Sequence, residues 1–166
     1  MSSAKEALDR IEVSRRYTLN LLSDIPPADW FRMPHEGVTH VAWQVGHLAF
    51  AECRLALERI RGNRPEDVDL FPPTYHALFG RDSVPQADAA LYPPVEEIRR
   101  VLDGIHRQVQ VEVGGMDDAS LNVPTSSPHR IFSTKLGALE WCANHEMIHA
   151  GQIALLRRLF GSRPLW

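Results

Sequence analysis

The pentapeptide His145-Glu146-Met147-Ile148-His149 constrains this chain more than any other feature, because it sits inside a helical pattern running from about Ser133 to Phe160. Four residues carry an α-helix through one turn plus about 40°, so both imidazoles project from one face and can reach one metal ion. The string also satisfies the H-E-x-x-H pattern of zinc proteases, in which the Glu is the general base. Those proteases draw a third ligand from downstream. Here the chain after His149 reads AGQIALLRRLFGSRPLW, with no His, Asp, Glu or Cys. A third protein ligand must come from an earlier element.

Three helical patterns precede this one. The first, Ser3 to about Ser23, opens with an S-x-x-E capping box (Ser3, Glu6) and repeats apolar Ala7, Leu8, Ile11, Leu19 and Leu22 among charged residues. Pro26-Pro27 ends it. Thr39 suits the cap of a second helix that runs to about Arg61 and stops at Gly62. From Val41 to Ala51 that helix reads VAWQVGHLAFA, without a formal charge, so it should be apolar nearly all round and central. Pro94 suits the first position of a third helix, striped by Val95, Ile98, Val101, Leu102, Ile105 and Val109 and stopped by Gly114-Gly115. Ser133 or Thr134 caps the fourth, and Gly161 ends it. No strand pattern and no internal repeat competes. A chain of 166 residues fits one domain, 1–166, so the expected fold is an all-α four-helix bundle with two long connections.

The first connection, residues 63–93, is broken by five prolines and Gly80. So long an irregular stretch reads either as a lid over a site, contacting it through Tyr75, His76 and Phe79, or as a passive crossover. The second, DDASLNVPTSSPHRIF, carries His129, which reads as a solvated loop residue.

The remaining histidines can be ranked by position. His35, His76 and His129 lie in connections, where a ligand is less rigidly held. His106 has Gln108 and Gln110 close by, and its face reads as wet. His40 precedes His47 by seven residues, about 10.5 Å along a helix axis, and reads as exposed or at a pocket mouth. His47 lies in the middle of the uncharged run, where an imidazole must be hydrogen-bonded or bind something. The metal set is therefore His47, His145 and His149. Trp43, Gln44 and Phe50 share the His47 face. The face of the fourth helix bearing the histidine pair carries Trp141, Cys142, Ile148, Gln152 and Leu156. Trp43, Gln44, Phe50, Trp141 and Gln152 are the candidate substrate contacts. Glu146 lies 100° round the helix from His145 and is either a general base or a flanking residue.

QVGHLAFAE on the second helix together with HEMIHAGQIALLRRLFG on the fourth resembles the DinB/YfiT-like family of metalloenzymes, in order and spacing over essentially the whole chain. The resemblance implies an up-down-down-up bundle, often dimeric, and one divalent ion held by His47, His145 and His149. It also implies hydrolase-like or thiol-transferase chemistry on a small molecule, in some members with a low-molecular-weight thiol as cofactor. The link between the family name and DNA damage carries no implication of DNA binding.

Three neutral imidazoles leave a divalent ion its full charge and an open position, the arrangement of a catalytic rather than a closed structural site. An all-nitrogen donor set suits zinc or nickel first, with iron or cobalt also compatible. The competing reading is a non-catalytic, metal-stabilised bundle that binds a small ligand or a protein. A net charge of −3 without a basic run argues against nucleic acid. No apolar run approaches the roughly 20 residues of a membrane span. The opening MSSAKEALDRIE lacks the apolar core of a signal peptide, and Cys53 and Cys142 lie in apolar helical patterns without C-x-x-C spacing. Free buried thiols in a reducing cytoplasm are the expectation.

Overall fold

Helix α1 (Ala4–Leu22) starts on the capping box that the sequence predicts. The Glu6 N–H donates to Ser3 Oγ at 3.2 Å, and the Ser3 N–H donates to the Glu6 carboxylate at 2.9 Å. The computed structural model describes residues 3–165. Leu8, Ile11, Leu21 and Leu22 are buried as the periodicity requires, whereas Leu19 is exposed. The same buried face also carries Ser14, Arg15 and Thr18.

Helix α2 begins at Val41, and its cap is His40 rather than Thr39. The His40 Nδ1 accepts from the Trp43 N–H at 3.1 Å, while the Thr39 hydroxyl accepts from the Gln44 side chain. Nor is His40 at an exposed entrance. It is fully buried, with the rings of Phe31 and Tyr92 at 5.5 and 5.0 Å. Burial pushes its pKa down to about 4, so Nδ1 stays unprotonated and free to cap. The regular helix ends at Glu52, continues through a π-helical stretch, Cys53–Glu58, and closes with Arg59–Arg61. An α-helix drifts about 40° every four residues. The wider π turn takes back part of that drift, so His47, Ala51, Leu55 and Arg59 all line one side.

Helix α3 (Val95–Gly114) buries Val95, Ile98, Val101, Leu102, Ile105 and Val109, with Pro94 one position before its first turn. Helix α4 (Lys135–Leu159) is capped by Thr134, whose hydroxyl accepts from the Gly137 N–H at 3.1 Å. It ends in a Schellman motif. The Ser162 N–H reaches the Arg157 carbonyl at 2.9 Å, the Gly161 N–H reaches that of Arg158 at 3.1 Å, and Gly161 takes the positive φ of 96° that the turn requires.

The four long helices close a ring in which α1 packs on α4, α4 on α2, α2 on α3 and α3 on α1. The described residues are 64% helical and form no strand; one isolated bridge joins Pro124 and Thr134. Residues 63–93 hold two short α-helices, Asp67–Leu70 and Thr74–Phe79, and a 3-10 turn, Ala89–Leu91. Tyr75 and Phe79 are wholly buried, so this connection forms part of the core. The Phe79 ring lies where a Cβ on Gly46 would come within 2.3 Å of it, so only glycine permits this approach to α2.

At the centre of the ring is a buried ionic cluster. The Arg15 guanidinium on α1 donates to Glu52 on α2 at 2.7 Å and to both oxygens of Glu146 on α4 at 2.8 and 3.1 Å. It also donates to the Leu102 carbonyl on α3 at 3.4 Å. His106 on α3, which reads as wet in the sequence, bridges Glu52 and Glu12 at 2.9 Å each. Both its nitrogens face carboxylates, so it serves both only as imidazolium. Burial disfavours that charge, but Glu52 and Glu12 together outweigh it and raise the His106 pKa. Burial likewise pushes the Glu52 carboxyl up, and Arg15 and His106 more than reverse it.

Removing one member leaves the other charges buried without a partner. Arg15→Met should therefore lower unfolding free energy in urea by about 3–5 kcal/mol. Asp9→Ala, which breaks only the exposed Lys5–Asp9 pair, should leave stability nearly unchanged. Equal, small losses for both variants would show that the cluster does not hold the helices together.

Candidate metal centre

His47 stands mid-way along the uncharged run of α2, and its ring is fixed from two sides. Its Nδ1 lies 2.7 Å from the Phe79 carbonyl, which can only accept, so Nδ1 carries the proton and Nε2 the lone pair. The Trp43 indole stacks on it at 4.7 Å and 11°, and donates its own N–H to Ser83 Oγ at 2.9 Å. Both acceptors, Phe79 and Ser83, belong to the first long connection.

His149 is oriented by Gln44. The amide nitrogen of Gln44 donates to Thr39 Oγ1 at 3.0 Å and to Gln152 Oε1 at 2.8 Å. Its oxygen is thereby turned to the His149 Nδ1, 2.6 Å away. That contact makes Nδ1 the donor and frees Nε2, the arrangement that orients imidazole ligands in metal sites. His145 follows from the i, i+4 spacing on α4. Each of the three histidines offers a ring nitrogen, and these lie within 4.8 Å of one another. Burial lowers the His47 pKa. It takes His145 to about 4 and His149 to about 3, with neighbouring imidazoles adding to the effect. All three rings are thus neutral at ordinary pH. Converging neutral nitrogens, two of them held by hydrogen bonds on the far side of the ring, fit a divalent cation.

The other residues singled out in the sequence divide. Phe50 and Trp141 line an open cleft of about 400 Å³ that His47 and His145 also border. Trp43, Gln44 and Gln152 are engaged in holding the histidines. Glu146 is 2% exposed, with both carboxylate oxygens on Arg15, and so faces α1 while the histidine pair faces α2. Ile148, read onto the histidine face, is 51% exposed on another side of α4. His129 is half-buried at the cleft, stacked on Phe132 at 4.1 Å. Cys53 and Cys142 are free and buried; burial pushes the Cys53 thiol up to about 12 and Cys142 well above its usual value, so neither is a nucleophile near neutral pH.

Sequence reasoning missed the roles of Arg15, Glu52 and His106. Arg15 carried a signal, since it falls on the stripe of Leu8, Ile11, Thr18 and Leu22, four residues after Ile11.

Because burial holds the free His145 and His149 near 4 and 3 and His47 below its usual value, protons should compete for the site less than for ordinary histidines. Metal affinity measured by competition with a chelator should show no steep loss as pH falls through the ordinary histidine value of about 6.5, and should fall at lower pH. A steep loss centred near pH 6.5 would contradict the burial argument. Gln44→Leu should weaken the same affinity by about 10–100-fold while leaving all three ligands in place.

The geometry agrees with what comparison with known proteins finds. No curated protein matches the chain. The family model of the DinB superfamily matches residues 10–153, a stretch that includes His47, His145 and His149 as well as Arg15, Glu52 and Glu146. The chain belongs to the DinB superfamily.

Proposed function

We propose that this protein is a metal-dependent enzyme acting on a small molecule, with one divalent ion held by His47, His145 and His149, and that it works by hydrolysis or by thiol transfer. The observation that carries this reading is the convergence of three neutral imidazoles beside an open cleft. A closed four-ligand structural site would have no such access. When bound, the ion supplies a Lewis acid with an open position that can activate water or a thiol. The chain's own residues do the positioning. Phe79 and Gln44 fix two rings, Trp43 shields His47 from one side, and Phe50 and Trp141 form the apolar wall against which a substrate would lie. Zinc and nickel suit the donor set best. In this reading Glu146 acts through Arg15 as a positioning residue rather than as a base. The up-down-down-up helix order belongs to the same reading, and the two buried free thiols favour a reducing, cytoplasmic setting. Among the described residues no helix is long and apolar enough to cross a membrane.

The direct test is metal content. Purified protein should carry one divalent ion per chain, and His47→Ala should lose most of it; equal content in both would refute the three-histidine site. With cobalt or nickel loaded, adding a low-molecular-weight thiol should produce a sulfur-to-metal charge-transfer band if the reaction is thiol transfer. A silent spectrum would move the reading to hydrolysis.

The proposed assembly is a homodimer formed through α4. Met147, Ile148, Leu155 and Leu159 are 45%, 51%, 55% and 57% exposed. Gly151 between them leaves open space where a second helix could approach. Leu139, near the start of the same helix, is buried and takes no part. Sedimentation should give twice the chain mass at micromolar concentration, and Leu155→Glu should shift it to monomer. A wild-type monomer would end this part of the proposal.

A further inference from the structure

The cleft beside the histidines has a second chemical character. Four arginines reach it: Arg54 and Arg59 from the π-helical end of α2, Arg81 from the first connection and Arg130 from the second. No carboxylate lines it among the described residues. Arg54 has one acidic neighbour, Glu58 at 3.5 Å in a half-exposed pair, and Asp82 follows Arg81 in sequence. Among the described residues no ion pair engages Arg59, Arg81 or Arg130.

Two of the guanidinium groups are held in place by neutral partners. The Arg59 Nη1 donates to the Ser127 carbonyl at 3.0 Å and to its hydroxyl at 2.8 Å, and its carbon lies 5.5 Å from the Phe132 ring centroid. The Arg54 carbon lies 5.6 Å from the centroid of Phe50. The partners of Arg59 fix its position without neutralising it, and the Glu58 carboxylate offsets only part of the charge on Arg54 and Arg59. The mutual strain is visible in the neighbours. Burial and Arg54 lower the pKa of Arg59 against a smaller opposing effect of Glu58, while burial and the charges of Arg59, Arg130 and Arg81 lower that of His129. Like charges gathered in one concave site, without acidic neighbours on its wall, raise a positive potential that attracts an anion. Guanidinium forks match carboxylate and phosphate geometry.

Resting on the reading of the histidine site as the reactive centre, we infer that the substrate is a small molecule bearing carboxylate or phosphate groups, gripped by Arg54, Arg59, Arg81 and Arg130 while its reactive end lies at His47 and His145. The basic wall comes from both connections and from the end of α2 beyond His47, and none of its four arginines is a metal ligand. Binding of the anionic group and binding of the ion are therefore separable by mutation.

The experiment is calorimetric titration of the metal-loaded full chain at low ionic strength with glutarate, with pyrophosphate and with uncharged glutaramide. One of the two anions should bind and glutaramide should not; which one binds distinguishes carboxylate from phosphate. Arg59→Gln and Arg130→Gln should each weaken that anion by about tenfold while metal content stays at the wild-type level. Arg16→Gln, on the exposed side of α1, should change neither. Circular dichroism of each variant separates lost binding from lost fold. If the chain takes up no metal, the metal reading fails, and the same titration on metal-free protein still tests the arginine cleft. Undiminished anion binding in both cleft variants, no binding by either anion, or preference for a thymidine oligonucleotide over both would overturn the inference.

Discussion

One buried guanidinium connects all four long helices. Arg15 reaches Glu52, Leu102 and Glu146 from α1, and thereby α2, α3 and α4. Taking these charges out of water costs several kcal/mol per ion, and the Coulomb attraction and hydrogen bonds repay it only when the geometry is good. Apolar residues of similar size could fill the same space without that cost. They would, however, pack in several registers, because Leu against Leu tolerates sliding. A carboxylate 2.7 or 2.8 Å from a fixed nitrogen tolerates none. Glu52 lies five residues after His47 on α2, and Glu146 is next to His145 on α4. The ion cluster and the histidine cluster thus both draw on α2 and α4, about a turn and a half apart along α2, and the register that satisfies one brings the other together.

This arrangement explains the H-E-x-x-H string without a protease. Successive helix residues turn 100°, so a Glu between two ligands at i and i+4 cannot share their face fully. In α4 the histidines face α2 and the Glu faces α1, where Arg15 takes both of its oxygens. The five-letter pattern is local, and it encodes two different inter-helix contacts.

Much of this was legible because it is local. Capping at Ser3 and Thr134, the glycine stop at Gly161, the four helical stripes and the i, i+4 histidine pair all depend on neighbours within a few residues. His47 was legible because an uncharged run makes a lone imidazole conspicuous. What the sequence concealed was partnership between distant segments. Arg15 and His106 look solvated because charged residues on amphipathic helices usually are, and their carboxylate partners lie 37 to 131 residues away. His40 looked exposed because the segments that cover it, around Phe31 and Tyr92, have no periodic pattern from which their path could be read. The cap moved from Thr39 to His40 for the same reason: a histidine caps well only when burial keeps it neutral, and burial is tertiary. Gln44 looked like a substrate contact because nothing local shows that its oxygen is taken by a histidine 105 residues away.

The irregular connections, least readable of all, divide the labour of the site. Rigid α2 and α4 carry the three imidazoles, whose positions must hold to a fraction of an ångström. The first connection is anchored by Tyr75 and Phe79 in the core, and from that anchorage it sends the Phe79 carbonyl to His47, the Ser83 hydroxyl to Trp43 and the Arg81 side chain to the cleft. The second packs Phe132 beneath His129 and Arg59, and offers Ser127 to the Arg59 guanidinium. Changes at the outer residues of either connection would alter the charge and shape of the cleft without moving a metal ligand. Changes at Phe79 or Gly46 would do the opposite, because Phe79 holds the ring of His47 and Gly46 makes room for Phe79.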